Sequence, residues 1–198
     1  VINLHNDHAS RTAIMSDFAK NINRLNGKYI TAIDVGSTQA DMDIIHNISP
    51  YVVCTSAQPL TANYTALGVY QAIKLAAAVY LNKSLNELRF NIQGIGAVGS
   101  ELVNMLQQHS KNITICDLSN TKLAAFSHLN IVSSEDIYKQ PADCFIPCAM
   151  GGVITQQHIN MLDTKIICGA ANNQLAATAM DAFISEKGMI YMPDFMVN

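Results

Sequence analysis

The chain has 198 residues, 49% of them hydrophobic and 14% charged, and twelve basic against fifteen acidic side chains leave a formal net charge of -3. That is one large domain, or one domain plus part of another, with enough apolar material to bury a core, so a disordered or low-complexity chain is excluded. No Lys/Arg cluster stands out, and the longest uncharged apolar run, near Leu75–Leu81, falls far short of the roughly 20 residues of a spanning helix, so neither nucleic acid nor a membrane is an expected partner.

Ile14, Phe18, Ile22 and Leu25 recur on one helical face and predict an amphipathic helix over 10–25, stopped by Asn26-Gly27. Residues 28–35 are expected as a short strand, 41–48 as a short helix and 51–55 as a β-branched strand or extended link. After Pro59 the alanine-rich stretch 62–81 predicts one long helix. From Arg89 onward the pattern alternates strictly. Strands are expected at 89–93, 113–116, 131–132, 144–146, 165–168 and 189–192, with helices at 97–108, 121–128, 135–138, 156–162 and 177–187, and a turn at Pro193-Asp194. Each β-segment is apolar throughout, which argues for a parallel sheet covered on both faces and places the chain in the α/β class.

Cys54, Cys116, Cys144, Cys148 and Cys168 are odd in number and sit mostly in apolar runs. They are expected as buried, reduced thiols of a cytoplasmic protein rather than a disulfide framework. Cys144 and Cys148 lack a matching second pair, so no zinc site and no other metal is expected. His5 and His8 are expected at the surface. The chain opens at Val1 without an initiator methionine or a leader and closes directly after a strand-like segment, so both ends read as cut from a longer polypeptide.

The strongest motif is Gly94-Ile-Gly96-Ala-Val98-Gly99, directly after a predicted strand and directly before a predicted helix. In that context the three glycines have separate tasks. Gly94 makes the tight turn, Gly96 lets the backbone approach a pyrophosphate, and Gly99 lets the helix lie close on the sheet. The helix N-terminus then offers free N–H groups to the phosphates. Asp117 ends the next predicted strand, about twenty residues on, where a carboxylate bonds ribose hydroxyls and repels a 2′-phosphate, so NAD is favoured over NADP. The competing interpretation is a solvated loop aspartate after a glycine turn that merely packs.

Three further loops fall at the carboxyl ends of later strands, where ligands of such sheets bind. They are Pro147-Cys148-Ala149-Met150-Gly151-Gly152, Gly169-Ala-Ala-Asn172-Asn173-Gln174 and Met192-Pro193-Asp194-Phe195. Gly151-Gly152 is expected to start a helix near the ligand. The adjacent carboxamides of Asn172 and Asn173 match a nicotinamide amide or a substrate carboxylate, against the plain alternative of a turn or helix cap.

These three loops, together with Leu25-Asn-Gly-Lys-Tyr-Ile-Thr-Ala32-Ile-Asp34-Val-Gly36 and Ala40-Asp41-Met42-Asp43, resemble the Glu/Leu/Phe/Val amino-acid dehydrogenases, and within them the leucine branch. The resemblance is collinear over almost the whole chain. It implies a Rossmann-type doubly wound parallel sheet over 59–198, with the long helix as a bridge, and the C-terminal remnant of an α/β substrate domain over 1–58. It also implies NAD-dependent oxidative deamination of an apolar, branched-chain L-amino acid to its 2-oxo acid and ammonia, by a homo-oligomer. Carried over residue by residue, Asp34 is catalytic in proton transfer. Gly94, Gly96, Val98, Gly99, Asp117, Thr65, Cys148, Ala149 and Asn172 hold the cofactor, and Ala32, Asn173 and Met196 (with Val197 beside it) lie close to the substrate. The family's glycine-rich catalytic lysine run and its carboxylate-binding lysine would fall upstream of Val1, so the 198 residues alone are expected to be inactive. The loop 54–63 is a few residues shorter than its counterpart. A truncated homologue that binds NAD without turnover is the alternative.

Overall fold

The computed structural model describes residues 8–34, 36–58 and 61–197, with the side chains of 8–10 excepted; His5 and the side chain of His8 therefore lie outside the description. The chain forms two compact units, Val1–Thr61 and Ala62–Asn198.

In the first unit, helix α1 (His8–Arg24) lays Met15, Phe18, Ala19 and Ile22 against Met42 and Ile45 of helix α2 (Gln39–His46), with Val52 and Cys54 completing the small core. Asn26 (φ 49) and Gly27 (φ 81) take left-handed backbone and end α1 as expected. Leu25 falls beyond the last helical turn and is 47% exposed, so it does not extend the apolar face. Helix α2 opens on a capping box in which Thr38 and Asp41 satisfy each other's backbone N–H groups. The strand expected at 28–35 is not formed. Among the described residues of that segment only Thr31 pairs, through a single parallel bridge to Val52, with Thr31 N–H donating to Tyr51 O at 3.1 Å and Val53 N–H to Thr31 O at 2.9 Å. Cys54, at φ 64, bends the second segment away from extended geometry and ends the pairing.

The second unit is a six-stranded sheet in the order β3-β2-β1-β4-β5-β6, with every pairing parallel. The strands are β1 (Phe90–Gln93), β2 (Ile113–Cys116), β3 (Asn130–Ile131), β4 (Cys144–Pro147), β5 (Ile166–Cys168) and β6 (Ile190–Met192). The central β1 and β4 are buried along their whole length, as strands covered on both faces must be. Helices α3 (Thr61–Ala76) and α4 (Ala97–Leu106) pack on one face through Ala66, Val69, Ile73, Leu102, Val103 and Leu106. The other face carries Ile137, Tyr138, Ile159 of α6 (Gln156–Met161) and Ile184 of α7 (Met180–Glu186) around Phe145 and Ile167. The short α5 (Asn120–Ala124) follows β2, and α8 (Asp194–Val197) replaces the expected Pro193-Asp194 turn. The long predicted helix widens into a π-helical turn over Ala77–Leu81. There the Ala77 carbonyl accepts both the Asn82 and Lys83 N–H groups, and Asn82 (φ 51) closes the helix in left-handed geometry.

The order of strands makes β1 and β4 neighbours whose connections leave in opposite directions. Their carboxyl ends are the switch point of the sheet, where a crevice opens.

Candidate functional site

The Gly94–Gly99 turn lies at that switch point, and its glycines divide into two kinds. Gly94 has φ +95, and a Cβ there would come within 2.8 Å of Ala149 Cβ. A Cβ on Gly99 would come within 1.9 Å of the Gly94 carbonyl oxygen, so α4 can lie against the turn only if this residue is glycine. Gly96 is different. It caps α4 with φ -81 and ψ -163, backbone that any residue adopts, and a Cβ there would meet nothing within 4 Å. Neither backbone strain nor packing in this chain requires glycine at 96.

A cavity of about 600 Å³ opens beside this turn, bordered by Gly94, Gly96, Asp117, Lys122, Cys148 and Ala149, among others. The Asp117 carboxylate is aimed by two backbone bonds. Oδ2 accepts Ile95 N–H at 2.7 Å and Oδ1 accepts Ser119 N–H at 2.8 Å, tying the end of β2 to the glycine turn on β1. A carboxylate offers about four acceptor positions, so two remain for ligand hydroxyls. Leu118 and Met150, 93% and 67% exposed, flank the cavity as apolar lips. Behind them Gln93 donates through Nε2 to the Tyr138 hydroxyl at 2.7 Å, while its Oε1 is buried and has no partner. An unobstructed glycine, a fixed carboxylate, apolar lips and an unpaired acceptor together fit an adenine dinucleotide. Cys116 and Cys148 also border the cavity. Burial pushes their thiols up to about 11 and about 12, so both are protonated packing groups rather than nucleophiles at neutral pH.

The loops after β4 and β5 are zipped together by backbone bonds. Gly152 N–H donates to Asn173 O at 2.7 Å and Ile154 N–H to Gln174 O at 3.0 Å. Gly152 (φ 71) is therefore part of a turn that leads into a parallel bridge, so no helix starts at Gly151-Gly152, while the helix expected over 156–162 forms at Gln156–Met161. Asn172 and Asn173 are both exposed, Asn173 at φ 50, and its N–H donates to Asp194 Oδ2 at 3.2 Å. Asn173 and Asp194 border a second cavity of about 360 Å³ with Tyr191, whose hydroxyl is pushed up to about 12 by burial and by Asp194 and Asp181. Met196 is 69% exposed, whereas Val197 is a core residue whose carbonyl lies where a Cβ on Gly68 would be, at 2.4 Å. Thr65, on α3, and Val98, on α4, are half-buried, and neither borders the cavity at the glycine turn.

In the first unit, Asp34 and Ala32 border a cleft of about 560 Å³ lined by the apolar side chains Met15, Phe18, Ile33, Met42 and Ile45 and by the polar Arg11, Thr31 and Ser37. Asp34 belongs to a tight turn in which Ser37 Oγ accepts Asp34 N–H at 2.7 Å and donates to Asp34 O at 2.8 Å. The turn is clamped from α1. Arg11 Nε donates to Asp41 Oδ1 at 2.8 Å, and its Nη2 donates to Asp41 Oδ2 at 2.6 Å and to Gly36 O at 2.8 Å. Arg11, with the Thr38 hydroxyl and N–H, holds the buried Asp41 carboxyl down to about 2. Among the described residues that border the cleft, Arg11 is the only lysine or arginine.

Sequence reasoning points to Gly94, Gly96, Asp117, Cys148 and Ala149, which the fold brings around one cavity, and to Asp34 with Ala32, which it brings around another. It places Met150 and Asp194 in candidate ligand loops without giving either a role, and it passes over Arg11, Gln93, Leu118 and Lys122. Only the position of Gln93, directly before the first glycine, and of Leu118, directly after Asp117, carries a usable signal.

Strand order 3-2-1-4-5-6, crossovers on both faces and a glycine turn at the switch point define a doubly wound α/β fold of the Rossmann type. The sequence model of the Glutamate/Leucine/Phenylalanine/Valine dehydrogenase family matches residues 117–198. A leucine dehydrogenase of Bacillus subtilis is 38% identical over 191 residues, covering 91% of this chain and 52% of that protein. Among solved structures, the L-tryptophan dehydrogenase from Nostoc punctiforme superposes with a TM-score of 0.72 at 31% identity, over 94% of this chain and 55% of that one. A hetero-hexameric glutamate dehydrogenase from Thermus thermophilus shares the fold, with a TM-score of 0.76 at 16% identity over 95% of this chain and 52% of that one. The chain belongs to the Glu/Leu/Phe/Val dehydrogenase family and spans about half the length of the curated relatives it matches.

Proposed function

We propose that this chain carries the dinucleotide-binding part, and a portion of the substrate-binding part, of an NAD-dependent dehydrogenase of apolar L-amino acids. The observation that carries the dinucleotide assignment is Gly96, a glycine that neither strain nor packing demands, facing open space at the N-terminus of the ten-residue α4. The turn N–H groups would hold the pyrophosphate, and Asp117 would hold the adenosine ribose hydroxyls. When bound, NAD supplies the acceptor for the hydride that leaves the amino acid's α-carbon.

The division into a substrate portion over 1–58 and a Rossmann portion over 59–198 is part of the same proposal. In the first unit, Asp34 would move a proton in the deamination, from a turn whose shape is fixed by Ser37 and Arg11. Ala32, with the apolar side chains Met15, Phe18 and Met42 among the lining, suits an aliphatic or aromatic substrate side chain. Arg11 is committed to Asp41 and Gly36, which argues against a glutamate side chain as the preferred occupant. Among the described residues no lysine borders the cleft, so the proton-transfer partner implied by the family resemblance is not supplied there. We therefore expect negligible turnover from these 198 residues alone, with dinucleotide binding retained. Leucine, valine, isoleucine and phenylalanine differ by a few methylenes, each worth roughly 1–3 kcal/mol in an apolar pocket. Homo-oligomerisation and a cytoplasmic location belong to the proposal as well, and none of the described helices is long and apolar enough to cross a membrane.

Titration with NADH, followed by nicotinamide fluorescence, tests the dinucleotide assignment on the chain itself. A screen of aliphatic and aromatic L-amino acids for NAD reduction by the full-length protein tests the reaction. Saturable NADH binding with reduction driven by apolar amino acids is the expected result. Binding without any turnover in the full-length protein would favour the inert, dinucleotide-binding alternative.

A further inference from the structure

Asp117 is usually enough to reject a 2′-phosphorylated dinucleotide, because its charge stands where the phosphate would go. In this chain that charge is offset. Both carboxylate oxygens accept backbone N–H groups, from Ile95 at 2.7 Å and Ser119 at 2.8 Å. Lys122 Nζ lies 3.9 Å from Oδ2, and Lys122 borders the same cavity. It sits within α5, where side chains lean back toward the helix N-terminus, which brings its ammonium to the loop after β2. At 3.9 Å the pair is an ion pair but too long for a hydrogen bond, so the ammonium's donors are not spent on Asp117. The Lys122 side chain is 51% exposed against 11% for Asp117, so the lysine can turn toward a ligand while the aspartate stays fixed by its backbone bonds.

We propose that Lys122 makes this a two-cofactor site, in which NAD is preferred but NADP is accepted because the Lys122 ammonium pairs with the 2′-phosphate. The proposal rests on the dinucleotide assignment above and adds the residue that sets the strength of discrimination. A 2′-phosphate bonded by one charged donor, beside a carboxylate that cannot move away, gains from the first and loses to the second. The net result is a graded preference rather than exclusion.

The test is direct titration of the chain with NADH and with NADPH, each followed by nicotinamide fluorescence, for the wild type and for Lys122→Met, Lys122→Glu and Lys122→Arg. Circular dichroism confirms that each variant folds, as expected for a half-exposed side chain. The wild type should bind NADPH within about thirtyfold of NADH. Lys122→Met should weaken NADPH by about tenfold and leave NADH within about twofold, Lys122→Glu should abolish NADPH binding, and Lys122→Arg should restore it. If NADH binds and the ratio between the two dinucleotides is the same in Lys122→Met as in the wild type, the assignment of Lys122 is wrong and the site itself stands. A wild type that binds NADH and shows no NADPH binding at all would overturn the assignment of Lys122 in the same way. If neither dinucleotide binds, the site assignment fails and takes this inference with it.

Discussion

The two units hold their candidate sites by different physical means. Around Gly94–Gly99 the geometry is set by backbone: sheet register, a left-handed glycine, and a helix that approaches the turn only where a Cβ is missing. Around Asp34 it is set by side-chain charge, with one guanidinium from α1 holding both the Gly36 carbonyl and the carboxylate that caps α2. A site built from backbone tolerates surface change and fails abruptly when a methyl group is added at one position. A site built on a clamp fails by degrees, and its failure depends on pH.

The sharpest break between them is expected at Gly99. Gly99→Ala places a Cβ against the Gly94 carbonyl, so the turn and α4 must separate. Saturable NADH binding should be lost and the melting temperature of the second unit should fall, at a cost of about 2 kcal/mol or more. An unchanged melting curve would mean that α4 is not packed as described. Asp117→Asn comes next. It keeps an acceptor for one of the two backbone bonds but loses the charge, and NADH should bind about tenfold more weakly, with little change in folding. An unaltered NADH affinity would remove Asp117 from the ribose.

The clamp predicts a different signature. Asp41 titrates at about 2 in the folded chain against an ordinary 3.8, because Arg11 and Thr38 favour its charged form. A depressed carboxyl contributes stability that is fully present above about pH 4 and is lost as pH falls toward about 2. Acid unfolding of the first unit, followed by circular dichroism, should therefore begin at higher pH in Arg11→Met than in the wild type. Superimposable acid transitions would show that the guanidinium holds nothing. The smallest effect is expected at Asp194, which accepts the Asn173 N–H at 3.2 Å. Asp194→Ala should loosen that left-handed turn and weaken NADH a few-fold, with Asp194→Asn closer to the wild type.

The same contrast explains what is legible in the sequence. The Rossmann sheet and its glycine turn are readable because apolar β-segments, helix spacing and glycine positions are local signals, each enforced by backbone sterics. Asp117 is readable for the same reason, as the residue directly after β2. Arg11 is not, because its partner lies 30 residues away and nothing in the run around it distinguishes a clamp from a solvated helix face. Lys122 and Asp194 likewise show their roles only once two loops meet. The expected strand at 28–35 fails for the converse reason: the β-rich composition is real, but among the described residues of that segment only Thr31 finds a pairing partner. At Gly151-Gly152 the glycines form a turn rather than a helix start, and the helix begins at Gln156, where the pattern over 156–162 places it.

Gly96 separates a glycine kept for a ligand from glycines kept for packing. Gly96→Ala should leave the fold intact by circular dichroism, with only a small fall in melting temperature from the weaker N-cap, since a Cβ there meets nothing within 4 Å, and should sharply weaken NADH binding. A Gly96→Ala protein that is folded and still binds NADH with wild-type affinity would show that no pyrophosphate lies across this turn.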